Sequence, residues 1–385
     1  TTGEFMLIGD TLYFSADDGI TGKELWAHDT SNHSTWQVAD INSGAGDSDA
    51  LGGSLLRILD GDTLYFVADD GSTGNELWAH DTSNHSTWQV ADINSGSGDS
   101  DPGGRMHYLV GDTLYFGAND GSTGYELWAH DTSNHSTWQV FDFYIGGSNG
   151  NIHSGTPGWT LDVLVGDTLY FGAQDGSTTA GGGTQTLWAH DTSNHSTWRI
   201  NDGSGNGFGV SLFMCVLVGD TLYWSYLNQI WAHDTSNQST WLTDSSTSFY
   251  SPGMYMELLV DDTIYFSARD GNDNNELWAY DTSNGTTWQV AEIRSGSYGS
   301  NPGDNMQLLV GDTIYFDASD GGSIGRQLWA HDTSNRSTWR VTDNSSGSHP
   351  GFAWVSSGIF VDDTIYFSFR DGSGFGSTGY ELWAH

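Results

Sequence analysis

The chain has 385 residues, and ten lysines and arginines stand against 49 aspartates and glutamates for a formal charge of −39. A field of that sign repels nucleic-acid phosphate and anionic lipid, so neither is expected as a partner. No run approaches the roughly 18 apolar residues of a membrane span, which argues against membrane insertion, and the single cysteine, Cys215, rules out an intramolecular disulfide.

One pattern recurs eight times along the chain. Its landmark tryptophans are Trp26, Trp78, Trp128, Trp188, Trp231, Trp278, Trp329 and Trp383, separated by 52, 50, 60, 43, 47, 51 and 54 residues. A period near fifty is the mark of a repeat architecture. The repeats fall at about 1–50, 51–100, 101–155, 156–209, 210–250, 251–300, 301–350 and 351–385.

In the second repeat, Leu56–Leu59 leads through Gly61-Asp62 into Thr63–Ala68, a Gly/Asp loop follows, and Glu76–His80 comes next. The polar segment Asp81–Ser86 then precedes Thr87–Ala91. These four short β-branched and aromatic segments, separated by turn residues, read as strands A, B, C and D. The two-residue Gly-Asp link, Asp-Asp at 261–262 and 362–363, predicts a tight A–B hairpin with positive φ. In the fifth repeat the B–C loop shrinks to about Leu227-Asn228-Gln229. So short a link requires B and C to be antiparallel neighbours.

Four-stranded antiparallel meanders repeated in this way predict an all-β fold, an eight-bladed β-propeller forming a single domain over residues 1–385. An open solenoid is the second choice. Strand D occurs only seven times, ending at Thr338–Val341, so the last blade is expected to lack its fourth strand unless another segment supplies it. Thr1 opens directly on a repeat and no signal peptide is visible, which suits a mature form or a fragment if the protein is secreted.

Phe14–Gly19 followed by Gly22–Trp26, with Ala39–Gly44, resembles the ELWxxDGT repeat family, over essentially the whole chain. The departures are consistent: Asp-Gly-Thr becomes Asp-Thr-Ser-Asn, as at 29–32, and the following Gly-Thr becomes Ser-Thr-Trp. The resemblance implies propeller-like repeats of large secreted or surface proteins of bacteria and archaea, and it implies no enzymatic activity.

A meander places the A–B and C–D turns on one face and the B–C loops and D–A crossings on the other. The crossings carry Asp40, Asn42, Asp47 and Asp49 in the first repeat and Asp92, Asn94, Asp99 and Asp101 in the second. Hard oxygen donors on glycine-rich loops suit Ca2+. The competing reading is Asx turns and solvated charge, and no EF-hand order is present. The C–D turns carry N-x-Ser/Thr sequons at Asn32, Asn84, Asn134, Asn194, Asn237, Asn284 and Asn335, with Asn344 outside a turn, so glycosylation is a candidate modification.

Histidines recur after Trp-Ala and at the turn tips. Tyr280 replaces one of them, which favours strand-end hydrogen bonding over zinc. The strand aromatics read as core, with Trp159, Tyr298 and Phe375 as candidates for stacking on sugars. Cys215 lies in an apolar run and reads as a buried, inert thiol. No nucleophile elbow, phosphate-binding glycine loop or Cys/His zinc spacing is present, and acid–base pairs are not singled out, so no enzyme is expected. The sequence favours a non-enzymatic, extracellular or cell-surface protein with a structural, assembly or adhesive role. Its partners would be further copies or the neighbouring repeats of a larger protein. The alternative is a Ca2+-dependent or multivalent glycan-binding protein.

Overall fold

The computed structural model describes residues 5–52, 56–104, 106–143, 162–174, 185–201, 209–210, 214–226, 228–244, 249–269, 274–296, 298–321, 326–342, 354–362, 364–370 and 381–384. Two compact units divide the chain, Thr1–Gly209 and Val210–His385. The first holds the sheets of repeats one to four and the second those of repeats five to eight.

Each of the first seven repeats forms its own antiparallel sheet in the order A–B–C–D, as predicted. In the first repeat the strands are Phe5–Ile8, Thr11–Asp17, Lys23–Asp29 and Thr35–Ala39. In the second they are Arg57–Asp60, Thr63–Asp69, Asn75–Asp81 and Ser86–Ala91. The fifth repeat bears out the short-loop argument, since Tyr226 of B pairs directly with Gln229 of C. The eighth sheet has three strands among the described residues, Trp354–Val361, Thr364–Arg370 and Glu381–Ala384.

Strand pairing gives every sheet two distinct faces. Ile58, Tyr65, Ala79 and Trp88 lie in one cross-strand row, and with Leu77 they make what we term the leading face. Leu64, Phe66, Ala68, Trp78 and His80 make the trailing face. Strand B is therefore a continuous apolar run rather than an alternating one, because both of its sides are buried.

In the first unit the leading face of sheet one (Tyr13, Leu25, Ala27) packs on the trailing face of sheet two (Leu64, Phe66, Ala68). Sheets two and three, and three and four, repeat that joint. In the second unit, sheets five to eight are joined the same way. Each buried Phe or Tyr of these joints contributes roughly 1.5–3 kcal/mol of transfer free energy. Of the strand D tryptophans, Trp36, Trp88, Trp138 and Trp288 pack against the core, while Trp241 and Trp339 are more exposed, because D is the outer strand with a neighbour on one edge only.

The A–B turns have positive φ at the first of their two residues. Gly61 and Gly311 stand at 56°, and Asp261 and Asp362 hold the same position at 51° and 54°. A side chain in the left-handed region carries a steric cost that glycine does not. Asp261→Gly is therefore expected to stabilise the chain by about 0.5–1 kcal/mol, read as a higher urea midpoint at unchanged slope.

Candidate functional surfaces

The crossing loops act as straps between neighbouring strands. In the first crossing, the Lys23 amide donates to Asp47 Oδ1 at 2.8 Å, and Ser48 donates its amide and hydroxyl to the Lys23 carbonyl. The Ser48 carbonyl then accepts from the amide of Asp69, in strand B of the next sheet. The second crossing repeats this, with Asn75 donating to Asp99 Oδ1 at 2.9 Å and Ser100 linking Asn75 to Asn119. The strap lies so close that a Cβ on Gly74, whose φ is +73°, would sit 2.7 Å from both the Gly98 carbonyl and Asp99 Oδ1. Gly74→Ala is expected to cost about 2–3 kcal/mol through the left-handed φ and the backbone clash, measured by urea denaturation.

The residues proposed from sequence as Ca2+ ligands lie in these straps with protein partners. Asn42 Nδ2 donates to the Asp47 carbonyl, and Asn94 Nδ2 to that of Asp99. Asp47 and Asp49 both face the Lys23 ammonium, at 3.5 and 3.2 Å. Asp101 accepts from Asn75 Nδ2 through one oxygen and from the Tyr125 hydroxyl through the other. Burial raises the carboxyls of Glu24 and Glu76, and the nearby charges of Asp40 and Asp92 add a smaller share. Among the described residues no three His, Cys, Asp or Glu side chains come together as a cation-holding set. The carboxylates of the B–C loops form Asx turns: Asp18 Oδ1 accepts from the Ile20 and Thr21 amides at 2.8 and 2.9 Å.

At the other end of strands C and D, seven repeats carry copies of one turn. Asp29 Oδ1 accepts from the Ser31 amide and hydroxyl, and Asp29 Oδ2 accepts from Asn32 Nδ2. Asn32 Oδ1 in turn accepts from the Ser34 amide, while Thr30 donates its amide and hydroxyl to the Asp10 carbonyl of the A–B turn. The Asp–Asn bond measures 2.6–2.7 Å in all seven turns. The residue after the asparagine always has positive φ, from 60° at Arg336 to 72° at Gly285. Hydrogen bonds led by those of Ser31 hold the Asp29 carboxyl below the usual carboxylate range, and the Ser83 hydroxyl leads the same effect at Asp81. All seven sequon asparagines are thus exposed at turn tips, with Nδ2 engaged by the turn's own aspartate.

The strand-end histidines bond as the sequence suggested. Nδ1 of His28, His80, His130, His190, His233 and His331 lies 2.8–2.9 Å from the hydroxyl of a strand D threonine. The rings of His80, His130, His190 and His331 pack against the tyrosine of the preceding sheet, as His80 does on Tyr13 at 5.6 Å, and Tyr280 takes the same slot against Tyr223 at 5.7 Å. Burial pushes His80, His130 and His190 down to about 4.

Sequence reasoning missed the glutamate that opens strand C. Glu24, Glu76, Glu126 and Glu276 are fully buried. Glu76 Oε2 accepts from the Ile93 amide at 2.8 Å and the Ser100 hydroxyl at 2.6 Å, and Glu276 does the same with Ile293 and Ser300. Burial raises the Glu76 carboxyl to about 7. The signal was present: in a chain whose acids are nearly all Asp, Glu recurs at one repeat position.

Cys215 is half-buried rather than fully buried, and its amide donates to Glu257 Oε2 at 2.9 Å. Tyr298 is exposed, with the Arg294 guanidinium 5.0 Å from its ring centre. Trp159, Phe375 and Asn344 lie outside the described residues.

No protein-family model matches the chain, and no curated protein matches it by sequence. In structure it is similar to Porphyromonas gingivalis dipeptidyl peptidase 4, with a TM-score of 0.52 and 9% identity over 96% of this chain and 57% of that one. A prolyl endopeptidase gives a TM-score of 0.42 at 12% identity, over 96% of this chain and 54% of its own. Oligopeptidase B from Leishmania major gives 0.40 at 12%, with the same two coverages. The chain thus spans little more than half the length of these peptidases, and the likeness is one of fold. Eight antiparallel sheets in repeat order, together with the likeness in fold to the P. gingivalis dipeptidyl peptidase 4, make this an all-β chain of propeller type.

Proposed function

We propose that the chain is a non-catalytic structural or adhesive module of the extracellular space or cell surface, displaying a multivalent surface of near-identical turns. The observation that carries the reading is the C–D turn, built seven times with one hydrogen-bond geometry and seven exposed asparagines. Weak contacts repeated on one scaffold gain strength through avidity. The resemblance to ELWxxDGT repeats, known from large secreted and surface proteins, supports the setting.

The test is attachment. Cells that make the protein should adhere less to their surface or to one another when it is deleted. The wild-type chain should restore adhesion, and a chain with the seven turn asparagines changed to Asp should not. Unchanged adhesion after deletion overturns the reading.

One observation favours glycan binding as the second reading: Tyr298 offers an exposed ring on a crossing loop, where sugars stack on aromatic faces. Binding to a glycan panel that Tyr298→Ala abolishes would support it, and a silent panel would remove it.

A further inference from the structure

The C–D turns of repeats one to four each bring together two histidines that stand five residues apart in the chain. The strand-end residues His28, His80, His130 and His190 lie beside the turn-tip residues His33, His85, His135 and His195. Their ring centres are 6.2–6.5 Å apart and their planes are tilted by 32–35°. The backbone makes the approach, because each tip residue stands at a φ of 60–63° and doubles the chain back on itself.

Nδ1 of each strand-end ring is taken, lying 2.8–2.9 Å from a strand D threonine hydroxyl. Nε2 is a different matter. His130 and His190 are 0% exposed, and their Nε2 atoms are buried without a hydrogen-bond partner among the described residues. A buried polar atom left unpaired is costly. A threonine hydroxyl that accepts from Nδ1–H puts the lone pair on Nε2, which is the form in which an imidazole binds a metal. The same bond fixes the ring, as the outer partners of metal-ligating histidines do. The hydrogen bond to threonine and a bound ion thus use different nitrogens and are compatible.

Metal–nitrogen bonds of about 2.0–2.1 Å place two imidazole centres on one ion roughly 4.5–6.4 Å apart. The four pairs sit at the wide end of that range, and the tip rings are exposed, so a small rotation of the tip side chain closes each pair. The turn aspartate is not a third ligand, since Asp81 already accepts from Ser83 and Asn84. Its charge nevertheless favours a cation beside His80, and a chain at −39 concentrates cations at its surface.

We propose that each of these four turns binds one borderline divalent transition-metal ion, Cu2+ most tightly, through Nε2 of the strand-end histidine and a ring nitrogen of the turn-tip histidine. Imidazole suits such ions, and the stability order places Cu2+ first. Water completes the coordination. The later repeats lack the pair: Gln238, Gly285 and Arg336 hold the tip position, and Tyr280 replaces the strand-end histidine of the sixth. The sites therefore belong to repeats one to four, and they go beyond the display role proposed above.

The test is titration of the full chain with Cu2+ alone at neutral pH, followed by electron paramagnetic resonance, in which nitrogen ligands split the copper signal. Molar salt screens loose binding by surface carboxylates. Nitrogen-ligated copper is expected to saturate at one ion for each of the four pairs. His33→Gln, His85→Gln, His135→Gln and His195→Gln each introduce a residue that the fifth repeat already carries at the tip, Gln238 at a φ of 61°. Each change should leave the copper-free melting midpoint in place and remove one equivalent of nitrogen-ligated copper, and the four together should remove all of it. Copper held by oxygen alone in the wild type overturns the proposal, as does nitrogen-ligated copper that the variants bind undiminished. Neither result bears on the adhesion test, which rests on the turn asparagines.

Discussion

Replacing Asp317 with Ser should destabilise the chain by about 3 kcal/mol, the cost of leaving a buried charge without its partner. Asp317 is fully buried in strand B of the seventh repeat and accepts from Arg326 Nε, from Asn305 Nδ2 at 2.9 Å and from the Asn305 and Met306 amides at 3.0 Å. The sixth repeat shows what a serine does there. Ser267 Oγ faces the Tyr255 and Met256 amides at 2.9 and 3.1 Å, so the variant keeps the backbone acceptor and loses the carboxylate. Arg326, mostly buried, would keep the backbone carbonyls of residues 301 and 317 but only one carboxylate, Asp304 at 3.5 Å.

Asn275 stands in the sixth repeat where Arg326 stands in the seventh. The double variant Asp317→Ser/Arg326→Asn therefore copies a pairing the chain already tolerates and should recover about 2 kcal/mol of the loss. Urea unfolding of the four proteins measures the coupling. Simple additivity of the two single changes would mean that the charge pair is not the source of the cost.

The second large effect is on pH, and two sets of buried groups act with opposite sign. Burial raises Glu76 to about 7, and it also raises Glu24 and Glu276. A carboxyl raised by folding contributes stability that is full below its unfolded value near 4.5 and is lost as pH rises through 7. For Glu76 the loss is about 3 kcal/mol. Burial depresses His80, His130 and His190 to about 4. Their contribution is full above about 6.5 and is lost as pH falls through 4, again about 3 kcal/mol each. Below that range the turn aspartates, whose hydrogen bonds depress them, add to the acid loss.

Stability is thus expected to peak near pH ~6 and to fall on both sides. Thermal unfolding from pH 4 to 9 in molar salt, which screens the general repulsion of a chain at −39, measures the profile. Glu76→Gln should flatten the alkaline limb without loss of fold, since Gln327 already fills that position in the seventh repeat and accepts from Thr342 at 3.0 Å. A midpoint that climbs steadily to pH 9 would show that the buried glutamates do not govern it.

Much of the fold was legible because the repeat is a local code. Gly-Asp fixes a two-residue hairpin through φ, Asp-Thr-Ser-Asn writes its own hydrogen bonds, and a strand pattern eight times over fixes pairing order. The fifth repeat gave antiparallel neighbours from loop length alone. The candidate site was less legible. Asp47 and Asp99 read as oxygen donors on a loop, but sequence could not show that a strand C amide 24 residues away donates to each of them.

The sequence by itself therefore determined the repeat, the sheet order and the turn geometry, all set by contacts within a few residues or by counting. Only the tertiary structure decided that Glu76 is a buried acceptor, that His80, His130 and His190 are buried packing groups and that the crossings are straps. The physical reason is that stacking one sheet's leading face on the next sheet's trailing face is what buries these groups.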